Sequence, residues 1–238
     1  MVVPYFRIHF SIFMLKFCVA IIMVALSSGC KEGKNKQVTV TEQPEEKVNS
    51  VLNVDTLSDN IGRTVWQKPD LVLNTLGNLE NKVVADIGAG TGYFSFRLAM
   101  RAKKVIAIDI DKDVLDTIGQ YTARLPEPFR QRVETRLALP NNPSLSENEV
   151  DVIVIINTIA YIPALDDYLK TLLKGLKKGG EILIVDFKMK RLSISAPPRN
   201  ERIYLDIMED KLEKSGFKNI VSDDTSLDYQ YIVKARKP

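Results

Sequence analysis

The stretch VVADIGAGTGYF, Val83 to Phe94, decides the fold. Two valines and an alanine lead to Asp86, and Gly88, Gly90 and Gly92 then alternate with other residues before an aromatic pair. An apolar run that enters a glycine turn and continues into a helical pattern reads as strand, loop, helix. Glycine accepts the left-handed backbone such a turn needs, and its missing Cβ lets a ligand lie against bare backbone. The helix that follows offers N–H groups without intrahelical partners. The stretch therefore predicts a ligand loop at the carboxyl end of a parallel strand.

Outward from this loop, apolar strands alternate with amphipathic helices. Strands are predicted at 82–86, 104–109, 132–137, 150–156, 180–187, 217–223 and 229–235, with helices at 69–76, 93–101, 113–123, 163–176 and 201–215. That alternation implies an α/β protein with a parallel sheet covered on both faces. No helix separates the last two strands, so they are expected to pair as an antiparallel hairpin that makes one edge of the sheet antiparallel.

The composition excludes several chemistries. The single histidine is His9 and the two cysteines are Cys18 and Cys30, so the chain beyond residue 30 has no imidazole or thiol for a zinc site, a disulfide or a nucleophile–base pair. Catalysis there must use carboxylates, Tyr, Lys, Ser/Thr, Asn, backbone groups or a cofactor. Beyond Cys30, 31 basic residues face 30 acidic ones, which gives no electrostatic case for a nucleic-acid partner.

The N-terminus is of another kind. FCVAIIMVAL, Phe17 to Leu26, follows Lys16 and precedes Ser27-Ser28-Gly29-Cys30. It is shorter than the roughly 20 apolar residues of a spanning helix and suits the core of a signal peptide. The Ser-Gly-Cys ending resembles a bacterial lipoprotein box, which implies lipidation of Cys30. An uncleaved anchor is the alternative. The domains expected are a signal at 1–30, a polar tether at 31–58 and a folded domain at 59–238.

Three loop readings compete. A dinucleotide fingerprint G-x-G-x-x-G fails, because Tyr93 or Ser95 occupies its third glycine position. A phosphate-binding loop fails for want of Gly-Lys-Ser/Thr. Asp86-Ile87-Gly88-Ala89-Gly90-Thr91-Gly92 instead resembles motif I of class I S-adenosyl-L-methionine (SAM)-dependent methyltransferases. Asp109 in VIAIDID matches the acid that in that family holds the two ribose hydroxyls, and a carboxylate suits that task because it accepts two hydrogen bonds. The wider pattern, from WQKPD through VDFK to YQY, resembles bacterial methyltransferase-domain proteins. The resemblance implies a Rossmann-like three-layer sandwich with a seven-stranded, mostly parallel sheet and SAM as cofactor. It implies cofactor contacts at Asp86, Gly88, Ala89, Gly90, Gly92, Asp109, Ile110 and Asn157. Where the family often places an acid for the adenine amino group, this chain has RLALPNN, which leaves Asn141 or Asn142 as the contact. Asp111 reads as the cap of the next helix.

The resemblance also places NTIAYI and VDFKMK at the rim where the methyl group sits, which makes Tyr161 and Asp186 the candidate catalytic residues. Arg63, Trp66 and Gln67 are expected to form a lid, and 188–202 to set specificity. The acceptor expected is a small molecule or a lipid-associated one. The two ends of the chain conflict, because SAM belongs to the cytosol and a lipoprotein signal leads to the periplasm. A membrane-tethered methyltransferase and an anchored, non-enzymatic module that keeps the fold both satisfy the sequence, as does an uncleaved anchor with a cytosolic domain.

Overall fold

The computed structural model describes residues 60–238. The signal at 1–30, its Cys30 and the tether at 31–58 lie outside the described residues. Among those described, no helix is long and apolar enough to cross a membrane.

Two short helices, α1 (Arg63–Gln67) and α2 (Pro69–Asn74), precede the sheet. Then come β1 (Val83–Ile87), α3 (Tyr93–Arg101), β2 (Lys104–Asp109), α4 (Lys112–Arg124), α5 (Glu127–Arg130), β3 (Val133–Leu137) and β4 (Val150–Ile156). A 3-10 turn at Ile159–Tyr161 leads to α6 (Leu165–Gly175) and β5 (Leu176–Phe187). The chain closes with α7 (Leu205–Lys214), β6 (Lys218–Asp223) and β7 (Gln230–Arg236). The strand order is β3-β2-β1-β4-β5-β7-β6, with every pairing parallel except β5–β7 and β6–β7. This is the expected seven-stranded, Rossmann-like sandwich. One detail differs: the strand that runs against the others is β7, inserted between β5 and β6, and the edge strand β6 runs with the sheet.

Strand β4 shows why the sheet is buried on both sides. Val152, Val154 and Ile156 join the core under α2, α3 and α4, while Ile153 and Ile155 join the core under α6 and α7. Each such aliphatic side chain contributes about 1.5–3 kcal/mol on burial. Asp151 breaks the apolar run without cost, because it accepts hydrogen bonds from the Val83 N–H at 2.9 Å and Lys177 Nζ at 2.8 Å. The helix ends follow local chemistry. Asp111 caps α4 as expected, its carboxylate accepting from the Asp113 N–H at 2.9 Å. Gly179-Gly180 ends no helix, because β5 starts at Leu176 and these glycines sit in an irregularity between the Val150–Leu176 and Val152–Glu181 pairs. A Cβ on Gly180 would lie 2.8 Å from the Lys177 carbonyl oxygen, so only glycine fits there.

Between β1 and β4 the chain reverses its direction of travel across the sheet. Ligand crevices open at such a point, beyond the carboxyl ends of the strands. The glycine loop after β1, Asp109 at the end of β2, Asn157 after β4 and Phe187 at the end of β5 all lie along this edge.

Candidate active site

The loop between β1 and α3 runs through left-handed backbone at all three glycines, with φ of +73° at Gly88, +52° at Gly90 and +81° at Gly92. Their surroundings differ. A Cβ on Gly88 would lie 2.3 Å from Thr158 Oγ1 and 2.4 Å from its Cγ2, so the loop after β4 touches bare backbone there. A Cβ on Gly90 would meet nothing closer than 4.0 Å. A Cβ on Gly92 would strike the Phe96 ring, and Gly92 serves as N-cap of α3 and lines none of the three cavities described below.

The Gly88–Thr158 contact is a neck between two cavities. One, of about 230 Å³, is apolar; Ile108, Ile110, Ala138, Leu139, Pro140 and Tyr161 wall it, with Asp109 among its lining. Its rim leaves Ile110, Leu139 and Tyr161 more than half exposed. The other, of about 160 Å³, is polar; its lining includes Arg63, Asp86, Ala89, Gly90, Tyr93 and Asn157. Asp109 Oδ2 accepts from the Gly90 N–H at 2.9 Å, which ties the end of β2 to the glycine loop.

Asp86 lies at the floor of the polar cavity, 2% exposed. Burial, with the Asp109 charge adding to it, pushes its carboxyl up to about 6, against the Ser95 hydroxyl that donates to it at 2.6 Å and the positive charge of Arg63. Tyr93, the residue that breaks the dinucleotide spacing, is packed between two guanidinium groups, Arg63 at 4.1 Å and Arg97 at 4.0 Å from its ring centre. No side chain caps α3, whose first residues Tyr93 and Phe94 line the same cavity.

A third cavity, of about 620 Å³, is lined by Ile61, Arg63, Trp66, Asn157, Phe187, Ile194 and Ser195. The Trp66 and Phe187 rings meet at 6.1 Å. Arg63 and Asn157 belong to both this cavity and the polar one, so the two adjoin there. Asn157 holds a left-handed backbone, φ +60°, a conformation asparagine tolerates better than most side chains. Its Oδ1 accepts from Gln67 Nε2 at 3.2 Å and from Gln230 Nε2. Gln67 also donates to Gln230 Oε1 at 2.9 Å and accepts from Arg63 Nε at 2.9 Å. Both glutamines are fully buried.

The structure thus brings Asp86, Gly88, Ala89, Gly90, Asp109, Ile110 and Asn157 to the paired cavities. It does not bring Asn141, which is exposed, while Asn142 spends its carbonyl on the Ser144 N–H at 2.8 Å. Ala138, Leu139 and Pro140 stand at the apolar wall in their place. Tyr161 lines the apolar cavity and not the third one, and burial, then the charges of Glu201 and Asp186, raise its hydroxyl above the usual tyrosine value. Asp186 is 2% exposed and lines none of these three cavities. Its Oδ1 accepts from the Phe187 N–H at 2.6 Å, its Oδ2 is buried without a hydrogen-bond partner, and burial pushes the carboxyl up to about 6. Lys188 donates to the Leu227 carbonyl at 2.6 Å. Of the expected lid, Trp66 and Arg63 line the third cavity, whereas Gln67 is a buried link. Gln230 and Phe187 escaped sequence reasoning. The one signal for Gln230 is an amide at the head of an apolar strand.

An apolar chamber with a carboxylate in its lining, meeting at Gly88 and Thr158 a polar chamber that holds an acid, an arginine and an uncapped helix, matches a nucleoside attached to an amino acid. Comparison with known proteins agrees. Residues 78–233 match the family described as "Methyltransferase domain". The chain is 31% identical over 111 residues to chondramide synthase cmdD of Chondromyces crocatus, spanning 45% of this chain and 3% of that synthase. It is 26% identical over 188 residues to the ubiquinone/menaquinone biosynthesis C-methyltransferase UbiE of Rhizobium meliloti, covering 76% of this chain and 67% of that protein. A SAM-dependent methyltransferase from Aquifex aeolicus superposes with a TM-score of 0.68 at 22% identity, over 83% of this chain and all of that one, and so shares the fold. The chain belongs to the methyltransferase-domain family and is a SAM-dependent methyltransferase.

Proposed function

We propose that the apolar and polar cavities hold the two ends of SAM, and that the third cavity receives a small-molecule or lipid-associated methyl acceptor. The observation that carries this reading is the Gly88–Thr158 neck, with an apolar chamber on one side and a charged one on the other. When bound, SAM supplies a methyl group already activated on a sulfonium, so the protein's task is alignment. Asp109 accepts hydrogen bonds from the ribose hydroxyls, and Ile110, Leu139 and Tyr161 cover the base. Asp86 faces the ammonium, while Arg63 and the first N–H groups of α3 face the carboxylate. Two donated hydrogen bonds occupy Asn157 Oδ1, so its amide nitrogen is the group left to orient what lies between the polar and third cavities.

No carboxylate, lysine, tyrosine, histidine or cysteine is among the described residues lining the third cavity. The acceptor on this reading arrives with its nucleophilic electron pair free, or loses its proton to water after transfer. The wall of the third cavity sets the Trp66 and Phe187 rings beside Arg63, Asn157 and Ser195, which suits a flat body that also carries polar groups. The similarity to a quinone-biosynthesis C-methyltransferase is in keeping with such an acceptor. The domain organisation is proposed as read from the sequence: a lipoprotein-type signal ending at Cys30 and a polar tether to the catalytic domain. Labelling of Cys30 with a palmitate analogue supports it, and an unlabelled protein that keeps residues 14–29 sinks it.

Calorimetric titration of SAM into the protein and into Asp109→Ala tests the cofactor assignment. Micromolar binding weakened about 10- to 100-fold in the variant is expected, since hydrogen bonds to a charged group are worth roughly 1.5–3 kcal/mol each. Equal affinity in the two proteins rejects the placement of the ribose.

A further inference from the structure

The segment after β5 serves two cavities. Ile194 and Ser195 line the third one, whereas Lys188, Met189, Lys190 and Arg199 line another, of about 690 Å³, that shares no lining residue with the three cavities of the candidate active site. The start of α7 contributes Tyr204, Leu205, Asp206 and Glu209 to it, and the turn after β6 contributes Asp224. Its floor is Tyr231, 1% exposed, whose hydroxyl has no hydrogen-bond partner. A buried hydroxyl in that state is costly, and folded proteins keep few of them. The volume lies in the range of small-molecule sites.

Three cations and three carboxylates line this cavity, yet none of the six takes part in an ion pair found among the described residues. The cations all come from the segment after β5, and the acids from α7 and the turn after β6, so the two signs belong to different elements. Some of these groups are occupied locally. Lys188 Nζ donates to the carbonyls of Leu227, at 2.6 Å, and Asp224; Asp206 accepts from the Ile207 N–H at 2.9 Å, and Glu209 from the Ser222 hydroxyl. The side-chain charges of Lys190, Arg199 and Asp224 have no partner among the described residues. The first N–H groups of α7 add to the positive side, because its N-cap Tyr204 makes no side-chain bond to them. An anion alone would face three carboxylates here, and a cation alone three basic groups. A molecule that carries both signs satisfies both. Met189, Tyr204, Leu205 and Tyr231 supply apolar and aromatic surface for its body.

We propose that this cavity is a second ligand site, for a zwitterion of the α-amino-acid type with an apolar side chain, its carboxylate toward Lys190, Arg199 and the start of α7 and its ammonium toward Asp206 and Asp224. The site is separate from the SAM and acceptor cavities, so this proposal and the methyl-transfer reading can fail independently.

The probe is L-phenylalanine, beside 3-phenylpropanoate, which lacks the ammonium, and 2-phenylethylamine, which lacks the carboxylate. Each is titrated calorimetrically into the full chain with SAM at saturation, which closes the amino-acid end of the cofactor site to the probe. L-Phenylalanine is expected to bind, and each analogue at least about tenfold more weakly, since each forfeits a charge-assisted hydrogen bond. Lys190→Ala/Arg199→Ala weakens L-phenylalanine at least about tenfold and leaves SAM affinity and the thermal midpoint unchanged as proof of folding. Asp224→Asn weakens it several-fold. Parental affinity in the double variant assigns the amino acid to another place and overturns the proposal. So does the absence of binding at millimolar L-phenylalanine, or an analogue of single charge that binds as tightly as the amino acid.

Discussion

The two halves of this site are made differently. The cofactor half, around β1, β2 and the start of α3, is framed by backbone, a glycine loop and a helix end, with Asp86, Asp109 and Ile110 added from the same short stretches of sequence. The acceptor half, around β5 and β7, is side chains drawn from distant places: Trp66, Asn157, Phe187, Ile194, and behind them Gln67 and Gln230. A backbone frame is encoded in one short stretch, because the left-handed turns at Gly88, Gly90 and Gly92 favour glycine and two of the three leave no room for a Cβ. A site made of side chains is encoded by the fold.

The sharpest way to break this comparison is within the glycine loop. Gly88→Ala forces a Cβ against Thr158 on left-handed backbone and is expected to cost about 3 kcal/mol of stability, from overpacking plus strain. SAM affinity should fall more than 100-fold. Gly90→Ala adds a Cβ to open space at φ +52°, so about 1 kcal/mol of strain and a smaller loss of affinity are expected. Thermal denaturation and calorimetry of the pair decide it, and equal costs would remove the neck from the argument.

Asp86 gives the next largest effect, with two opposite signs. Its folded value, raised from 3.8 to about 6, means that the native state holds the proton more tightly than the unfolded chain. Its burial therefore destabilises the apoprotein as pH rises from about 4 to 6, by roughly 3 kcal/mol once fully ionised. SAM binding runs the other way, because the ionised carboxylate gains an ammonium partner. Affinity should fall about tenfold from pH 7 to pH 5, as most of the carboxyl takes up its proton. In Asp86→Asn both dependences flatten. Asp186 titrates in the same window, so a stability slope that persists in Asp86→Asn belongs to it, whereas a persisting affinity slope counts against Asp86.

How much of the protein could be read from its residues follows the same division. VVADIGAGTGYF and VIAIDID were legible because strand, turn and carboxylate are contiguous. The central strands were legible because runs such as VDVIVII are β-branched, apolar and too short for a buried helix, whereas β3, VETRL, carries a weak signal. The insertion of β7 inside the sheet was not legible, since a hairpin satisfies its own pattern on either side of β5. Asp186 was legible as a strand-end acid, but not that it is buried, with Oδ1 accepting from the Phe187 N–H and Oδ2 without a hydrogen-bond partner. Gln230 was invisible because its partners, Gln67 and Asn157, are 163 and 73 residues away.

That buried amide link tests whether the acceptor half depends on fold alone. Gln230→Leu strips Gln67 of an acceptor inside the core, which costs about 1–3 kcal/mol. Asn157 keeps one of its two donors, so SAM affinity should weaken only a few-fold while the acceptor KM rises more. Calorimetry beside steady-state kinetics separates the two. A kinetic defect confined to SAM would place Asn157 wholly in the cofactor half.

The smallest expected effect is the most discriminating for Tyr161. A base that removes a proton from the acceptor cannot lose its hydroxyl without a loss in rate of roughly 100-fold or more. Tyr161 instead walls the apolar cavity, and its hydroxyl is harder to ionise than a free tyrosine's. Tyr161→Phe keeps the ring and should leave kcat and SAM affinity within about twofold. Tyr161→Ala removes a ring that covers the cavity and should weaken SAM several-fold with kcat at saturation little changed, the expected result for lost apolar contact. If phenylalanine, not alanine, carries the defect, the hydroxyl acts in the reaction, and the boundary between the two halves runs through the turn after β4 instead of along β5.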